Sequence, residues 1–191
     1  MASKFYTADW HLASPLYTVY NRPFSSVIDM DNKLIENCNA VAKSDDLVIH
    51  LGDFACFGND GGFPGLKINP SKFIEQINAT FINIEGNHDP NNKTKSVGWF
   101  MQTRLGNAFG DVSMGHYPSY HEKMKKYMQP GWIHLCGHVH KQWKSYLDRE
   151  RQVLNVNVGV DVWNYKPVSE DELIQYIKAT FKLLLKQNPH Q

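Results

Sequence analysis

Apolar positions in the first half of the chain alternate between two kinds of spacing. Lys4 to Ala8 is a short β-prone run. Val27, Met30, Leu34, Cys38 and Val41 then recur at intervals of three and four, which predicts an amphipathic helix over 26–43. Between Asp46 and Leu51 the run Leu47-Val48-Ile49 is unbroken, as suits a strand buried on both faces. Pro70, with Asn69 as a cap, opens a short helix carrying Phe73, Ile74 and Ile77, and Thr80 to Ile84 is a third strand. The order β-α-β-α-β predicts a parallel sheet with right-handed crossovers.

The second half is richer in strands. Ala108 to Met114, Trp132 to Cys136, Gln142 to Leu147 and Val153 to Val160 read as extended, with Gly or charged turns between them. A closing helix over about 169–186 starts with a Ser169/Glu172 capping box and presents Leu173, Ile177, Phe181 and Leu184 on one face. A parallel half followed by an antiparallel half predicts an α/β fold of two packed sheets with helices outside. No repeat or linker interrupts it, so residues 1–191 are expected to form one domain. The Gly-rich stretch Gly58 to Gly65 is a loop and lacks the Gly-Lys-Ser/Thr ending of a phosphate-binding P-loop.

Composition narrows the function classes. A chain of 191 residues with 42% hydrophobic and 20% charged residues buries a sizeable core without a disulfide or structural metal. Its formal charge of +1 argues against broad electrostatic binding of nucleic acid, though not against a local basic patch. No apolar run is long enough to span a membrane. Met1-Ala2-Ser3-Lys4 leads straight into a strand-like segment without a signal-peptide pattern, and Cys38, Cys56 and Cys136 form no paired framework. The expected setting is a reduced, cytoplasmic one.

Candidate chemistry collects where the strands end. Asp9 and His11 follow the first strand, and Asp53 follows the second, in His-Leu-Gly-Asp. Asn87, His88 and Asp89 follow the third, in Gly-Asn-His-Asp. His116 follows the next, in Gly-His-Tyr-Pro, and His138 and His140 follow another, in Gly-His-Val-His. Ligands of open α/β sheets bind beyond the carboxyl ends of the strands. Asp9/His11 and His138/His140 are each two apart, so in extended chain each pair points one way. Mixed imidazole and carboxylate donors suit Mn, Fe, Zn, Co or Ni better than Ca or Mg.

This ordered set (Asp-x-His, Gly-Asp, Gly-Asn-His-Asp, Gly-His, Gly-His-x-His) resembles the calcineurin-like metallophosphoesterase superfamily, from Asp9 to His140. The later segment from Asn157 through Asp161 to Val168 is similar to the end of its small bacterial and phage-type members. The resemblance implies an αββα sandwich of two mixed sheets and a dinuclear metal site. One ion would be held by Asp9, His11, Asp53 and His140, the other by Asp53, Asn87, His116 and His138, with Asp53 bridging. His88 would stabilise the transition state or protonate the leaving oxygen, and Asp89 would hold the His88 ring in orientation. The ions, with Mn first and Fe, Zn, Ni or Co as alternatives, would carry a bridging hydroxide for in-line attack on a phosphodiester or phosphomonoester. With Asp9, Asp53 and that hydroxide counted, an excess of about one positive charge remains to attract phosphate.

Other residues stay open at this level. His50, His121, His134 and His190 lie outside the motifs and read as surface or core histidines, and Cys56, with no cysteine partner, reads as a small buried or loop residue. Arg22, before Pro23, either fixes a loop by pairing with backbone carbonyls or reaches the substrate phosphate. The insert from Tyr117 to Gly131 interleaves Lys123, Lys125 and Lys126 with Tyr120 and Tyr127; it is either a solvated loop or a binder of a nucleotide or single strand, and it should border the site. Related small members often carry a further His shortly after Asp-x-His, where this chain has Ser14 and Pro15. The expected partner is a small phosphate ester, including nucleotides. The competing readings are a metal-binding scaffold on the same fold and a small nuclease acting on nucleic-acid ends.

Overall fold

The computed structural model describes residues 2–60 and 62–187. Its first half comprises β1 (Lys4–Thr7), α1 (Leu16–Val19), α2 (Val27–Val41), β2 (Leu47–His50), β3 (Asn59–Asp60), β4 (Phe63–Pro64), α3 (Ser71–Ile74) and β5 (Thr80–Asn83). The second comprises β6 (Phe100–Leu105), β7 (Phe109–Gly115), β8 (Ile133–Cys136), β9 (Ser145–Asp148), β10 (Val153–Asn157), β11 (Val168–Ser169) and α4 (Glu170–Gln187).

The three apolar runs become β1, β2 and β5, paired in parallel, with β11 antiparallel at the β1 edge. Alternate residues face opposite sides: Phe5, Val48 and Phe81 pack with Met30, Leu34 and Phe73 of the helical layer. Tyr6, Ile49 and Ile82 pack towards the other sheet. Strands covered on both faces have no solvated side, which is why their sequences show no polar alternation. Helix α2 starts where Ser26 Oγ accepts the Asp29 N–H at 3.1 Å.

The second sheet has the order β6-β7-β8-β10-β9. It corrects the expectation of an antiparallel half: β7 and β10 both flank β8 in parallel, and only the outer strands β6 and β9 are antiparallel to their neighbours. The β9–β10 hairpin inserts β10 between β9 and β8, so the returning strand runs with β8. Strand β6 went unanticipated, because Phe-Met-Gln-Thr-Arg-Leu is an edge strand with mixed exposure and a register shift near its end. The fold is α/β, two packed mixed sheets flanked by helices. Helix α4 opens on the expected capping box, with Ser169 Oγ donating to Glu172 Oε2 at 2.8 Å, and buries Leu173 and Ile177 against the inter-sheet core. Among the described residues no helix is long and apolar enough to cross a membrane.

The register aligns the strand ends. Thr7, His50 and Asn83 lie level across the first sheet, and Cys136 and Asn157 lie level across the second. A parallel bridge between Ala8 and Gly159 joins the carboxyl edges of the two sheets. All five motifs leave their strands along this joined edge.

One buried acid lies behind it. Asp31 of α2 accepts the Ala13 N–H on both carboxylate oxygens at 3.0 Å, and burial, outweighing that hydrogen bond, pushes its pKa up to about 7. The folded chain therefore keeps a proton that the unfolded chain releases near pH 4. Stability contributed by this proton is full below about pH 4 and lost as pH rises through about 7. The stability gained by Asp31→Asn over the parent should grow by about 2 kcal/mol between pH 5 and pH 8. Denaturant unfolding of both proteins at the two pH values checks this; a gain independent of pH would refute it.

Candidate metal centre

The motif residues leave their strands through left-handed backbone rather than in extended chain as the spacing suggests. Asp9 (φ 59°), His11 (51°), Asp53 (59°), His138 (71°) and His140 (47°) all have positive φ. For a side-chain-bearing residue this costs roughly 1–2 kcal/mol each, and a lattice of hydrogen bonds holds it in place. The Asp9 N–H donates to Gly52 O and the His11 N–H to Asp53 O, both at 3.0 Å. The His138 N–H donates to both Asp9 carboxylate oxygens at 3.0 Å, and the His88 N–H to Asp53 Oδ1 at 2.8 Å. Glycines, Gly159 beside Asp9 among them, make room for the acids. A Cβ at Gly86 would stand 2.3 Å from Asp53 Oδ1, and one at Gly137 would stand 2.7 Å from Asp9 Oδ2.

The structure brings all seven expected donors to this edge. Asp9, His11 and His140 each offer an atom within 4.8 Å of the others, and so do Asp9, Asp53 and His116. Asp9 belongs to both groups, and Asp53 Oδ2 of the second stands 3.7 Å from His11 Nε2 of the first as well as 3.2 Å from His116 Nε2. Asn87 Oδ1 stands 3.0 Å from His116 Nε2 and 3.1 Å from His138 Nδ1. His116 Nδ1 faces Leu51 O at 2.8 Å and His140 Nδ1 faces Asp161 Oδ2 at 2.9 Å. Each of those outward hydrogen bonds fixes the ring and leaves Nε2 for the cluster, as is usual for metal-binding histidines.

Charges reinforce the geometry. Burial raises the Asp53 carboxyl, but His116, His11 and His88 outweigh it and hold it far below the usual carboxylate range. Burial likewise opposes charge on His116, yet Asp53 and Asp9 outweigh it and lift the ring to about 9. His138, desolvated and beside His116, falls to about 4. The buried Asp53 carboxylate thus remains anionic and draws positive charge into the edge, as a divalent-cation site requires.

His88 is at the rim, its side chain partly exposed and its Nε2 3.9 Å from Asp53 Oδ2. The Asp89 carboxylate accepts backbone N–H groups of Asp53 (3.0 Å), Phe54 (3.0 Å) and Gly86 (2.8 Å) and the Asn83 side-chain amide (3.0 Å). It thereby ties the Asp53 loop to the loop that carries His88, where the resemblance has it orient the His88 ring.

Arg22 does not reach for substrate. Its side chain is fully buried, with Nε and Nη2 on the Asp161 carboxylate at 2.9 and 2.8 Å and Nη1 on Trp10 O at 2.8 Å. Nη2 also donates to the Asp9 carbonyl. The substrate-binding reading is therefore corrected to the loop-fixing one, because every contact of the guanidinium points into the protein.

Sequence reasoning missed Asp161, the residue that links Arg22 to His140. Its carboxylate resists burial and stays anionic, held well below the usual range by the His140 hydrogen bond and by Arg22. The Asn157-Val-Gly-Val-Asp161 segment was the available signal. Tyr20, also unforeseen, stacks on His140 with ring centroids 3.5 Å apart. His50 and His134 are buried core residues, facing Asn83 Oδ1 and Ser113 Oγ, each at 2.8 Å. His121 stacks on Tyr117, Cys56 is buried, and His190 lies outside the described residues.

The sequence model of the calcineurin-like phosphoesterase superfamily domain matches residues 9–170. The chain is 30% identical over 165 residues to an uncharacterised protein of Methanocaldococcus jannaschii, covering 83% of this chain and 81% of that relative. Its fold is similar to the crystal structure of a protein of unknown function from Aquifex aeolicus, with a TM-score of 0.66 and 19% identity. That likeness covers 92% of this chain and all of the other.

Proposed function

Because the chain belongs to the calcineurin-like phosphoesterase superfamily, we propose that it is a metal-dependent phosphoesterase that hydrolyses a small phosphodiester or phosphomonoester at two divalent ions. The observation that carries this reading is the pair of adjoining donor groups, which share Asp9 and are linked by Asp53 Oδ2 near both His11 and His116. We assign one ion to Asp9, His11, Asp53 and His140, and the other to Asp53, Asn87, His116 and His138. The donor set, oxygen and imidazole without thiolate, suits Mn²⁺ first and Fe, Zn, Ni or Co after it. When bound, the pair of ions supplies Lewis acidity towards phosphoryl oxygens and lowers the pKa of water.

The chain's own groups do the rest. Asp53 and Asp9 supply the negative charge that retains the ions, and neutral Asn87 in place of a third acid leaves the centre attractive to phosphate. Asp161 and the Leu51 carbonyl keep His140 and His116 in the tautomer that presents Nε2. His88, at the rim and beside the Asp53 carboxylate, is placed to hold a proton at Nε2 and give it to the departing ester oxygen. An alkyl ester, whose alkoxide leaves poorly, gains most from that proton. The scaffold reading is disfavoured by a complete donor set and by His88 standing beside it.

Purified protein stripped of metal and then given Mn²⁺ should hydrolyse an aryl phosphodiester and its monoester, the faster substrate naming the esterase class. No turnover of either with Mn²⁺ bound would favour the scaffold. His88→Ala should keep the metal content of the parent and lower kcat by about a hundredfold or more. Loss of metal from a folded His88→Ala protein would show that His88 is a ligand instead.

A further inference from the structure

The insert between the Gly115-His116 and Gly137-His138 motifs contributes no donor to the proposed centre, yet it is a built structure. Met124, fully buried, packs with Met128 and Val153 against Phe100, Tyr117, Tyr127 and Trp132, a small core apart from the two large ones. Behind it, His134 Nε2 sits 2.8 Å from the Tyr117 carbonyl. Ser119 donates to Asn155 Oδ1 at 2.7 Å and to Asp148 Oδ2 at 2.9 Å.

This anchoring turns the other side of the insert outwards. Glu122, Lys123, Lys126 and Tyr127 join Trp99 in lining an open cavity of about 300 Å³. Trp99 is 43% exposed, an indole left facing water, and its ring meets Tyr127 edge-on at 4.9 Å. An indole and a phenol beside two ammonium groups give this cavity a stacking face and positive charge together.

The residues that line the cavity adjoin those of the metal centre. Phe100 pairs with Gly115 in antiparallel register, so Trp99 comes level with His116. Tyr117 stands T-shaped to His116 at 5.2 Å and to His138 at 4.9 Å. Lys123, a wall of the cavity, reaches back to Tyr117 Oη at 3.1 Å. A chain of contacts thus runs from His138 through Tyr117 to Lys123, which lines the cavity with Trp99.

We propose that this cavity is a specificity subsite for the nucleoside of a nucleotide phosphodiester, an inference that rests on the phosphoesterase reading of the adjoining centre. A nucleobase offers a flat π face for Trp99 and Tyr127, and the lysine ammoniums suit its carbonyl oxygens or a neighbouring phosphate. An alkyl ester has no use for the ammoniums, and a sugar phosphate gains little from an indole. The cavity accommodates one nucleoside, not a polynucleotide track, in keeping with the chain's near-zero net charge.

The test compares two esters with the same leaving group, thymidine 5′-(p-nitrophenyl phosphate) and methyl p-nitrophenyl phosphate, on the Mn²⁺-loaded protein. The nucleoside ester should have a kcat/KM about tenfold or more higher. Trp99→Ala should abolish that advantage while leaving the methyl ester within about twofold of the parent. Equal values for the two esters, or an advantage that survives in Trp99→Ala, would overturn the subsite. If neither ester is hydrolysed, the enzyme reading fails on its own and calorimetric titration with thymidine 5′-monophosphate decides the subsite. Binding weakened about tenfold by Trp99→Ala supports it; absent binding, or equal affinity in the variant, refutes it.

Discussion

Replacing Asp53 with alanine should remove both ions at once and lower phosphoesterase turnover by about a thousandfold or more. Its Oδ2 stands 3.7 Å from His11 and 3.2 Å from His116, so it serves both donor groups, whereas His11 and His138 each serve one. Asp53 Oδ1 also accepts the His88 N–H, so alanine loosens the rim loop as well. Asp53→Asn separates these effects: the amide oxygen still accepts that N–H, and only the charge is lost. Metal per chain, measured by mass spectrometry after gel filtration, should fall towards zero for both variants. A folded Asp53→Asn protein with one ion retained would show that the carboxylate does not bridge.

The second large effect is on stability. Arg22→Ala strands the buried Asp161 carboxylate and leaves the carbonyls of Asp9 and Trp10 without their donor. Breaking a buried ion pair from one side typically costs about 3–5 kcal/mol, which for a chain of this size lowers Tm by about 10 °C. Asp161 also fixes the His140 ring, so metal affinity should weaken by about tenfold or more. A phosphate-binding arginine would behave otherwise, raising KM in a protein of unchanged Tm. Calorimetric unfolding beside a substrate titration distinguishes the two.

The motif order and the apolar runs made much of this molecule legible. Leu47-Val48-Ile49 reads as a strand covered on both faces and is one, and Ser169 with Glu172 marks the start of α4 to within a residue. Residues such as Asp53 and His138 also announce themselves, because a Gly-flanked acid or imidazole at a strand end has few structural uses. What stayed hidden is non-local. Arg22 and Asp161 lie 139 residues apart, and nothing near either names the other. Tyr20 meets His140 only because two loops cross at the joined sheet edge. The parallel setting of β7, β8 and β10 depends on where β10 inserts, which no local period encodes. Left-handed backbone at Asp9 and His11 likewise comes from hydrogen bonds to the Asp53 loop rather than from local preference.

The bridge between Ala8 and Gly159 sets an order of events during synthesis. The three parallel strands of the first sheet can pair once residue 83 has left the ribosome, but the edge they offer has no opposite wall until β10 emerges. Gly159 must lie beside Asp9, and Asp161 must reach Arg22 and His140, before the centre has its observed shape. A nascent or truncated chain ending before residue 159 therefore carries all seven donors and still lacks the clamp that Asp161 places on His140. Occupancy of the centre then becomes a mark of a completed polypeptide, one that separates finished molecules from interrupted ones.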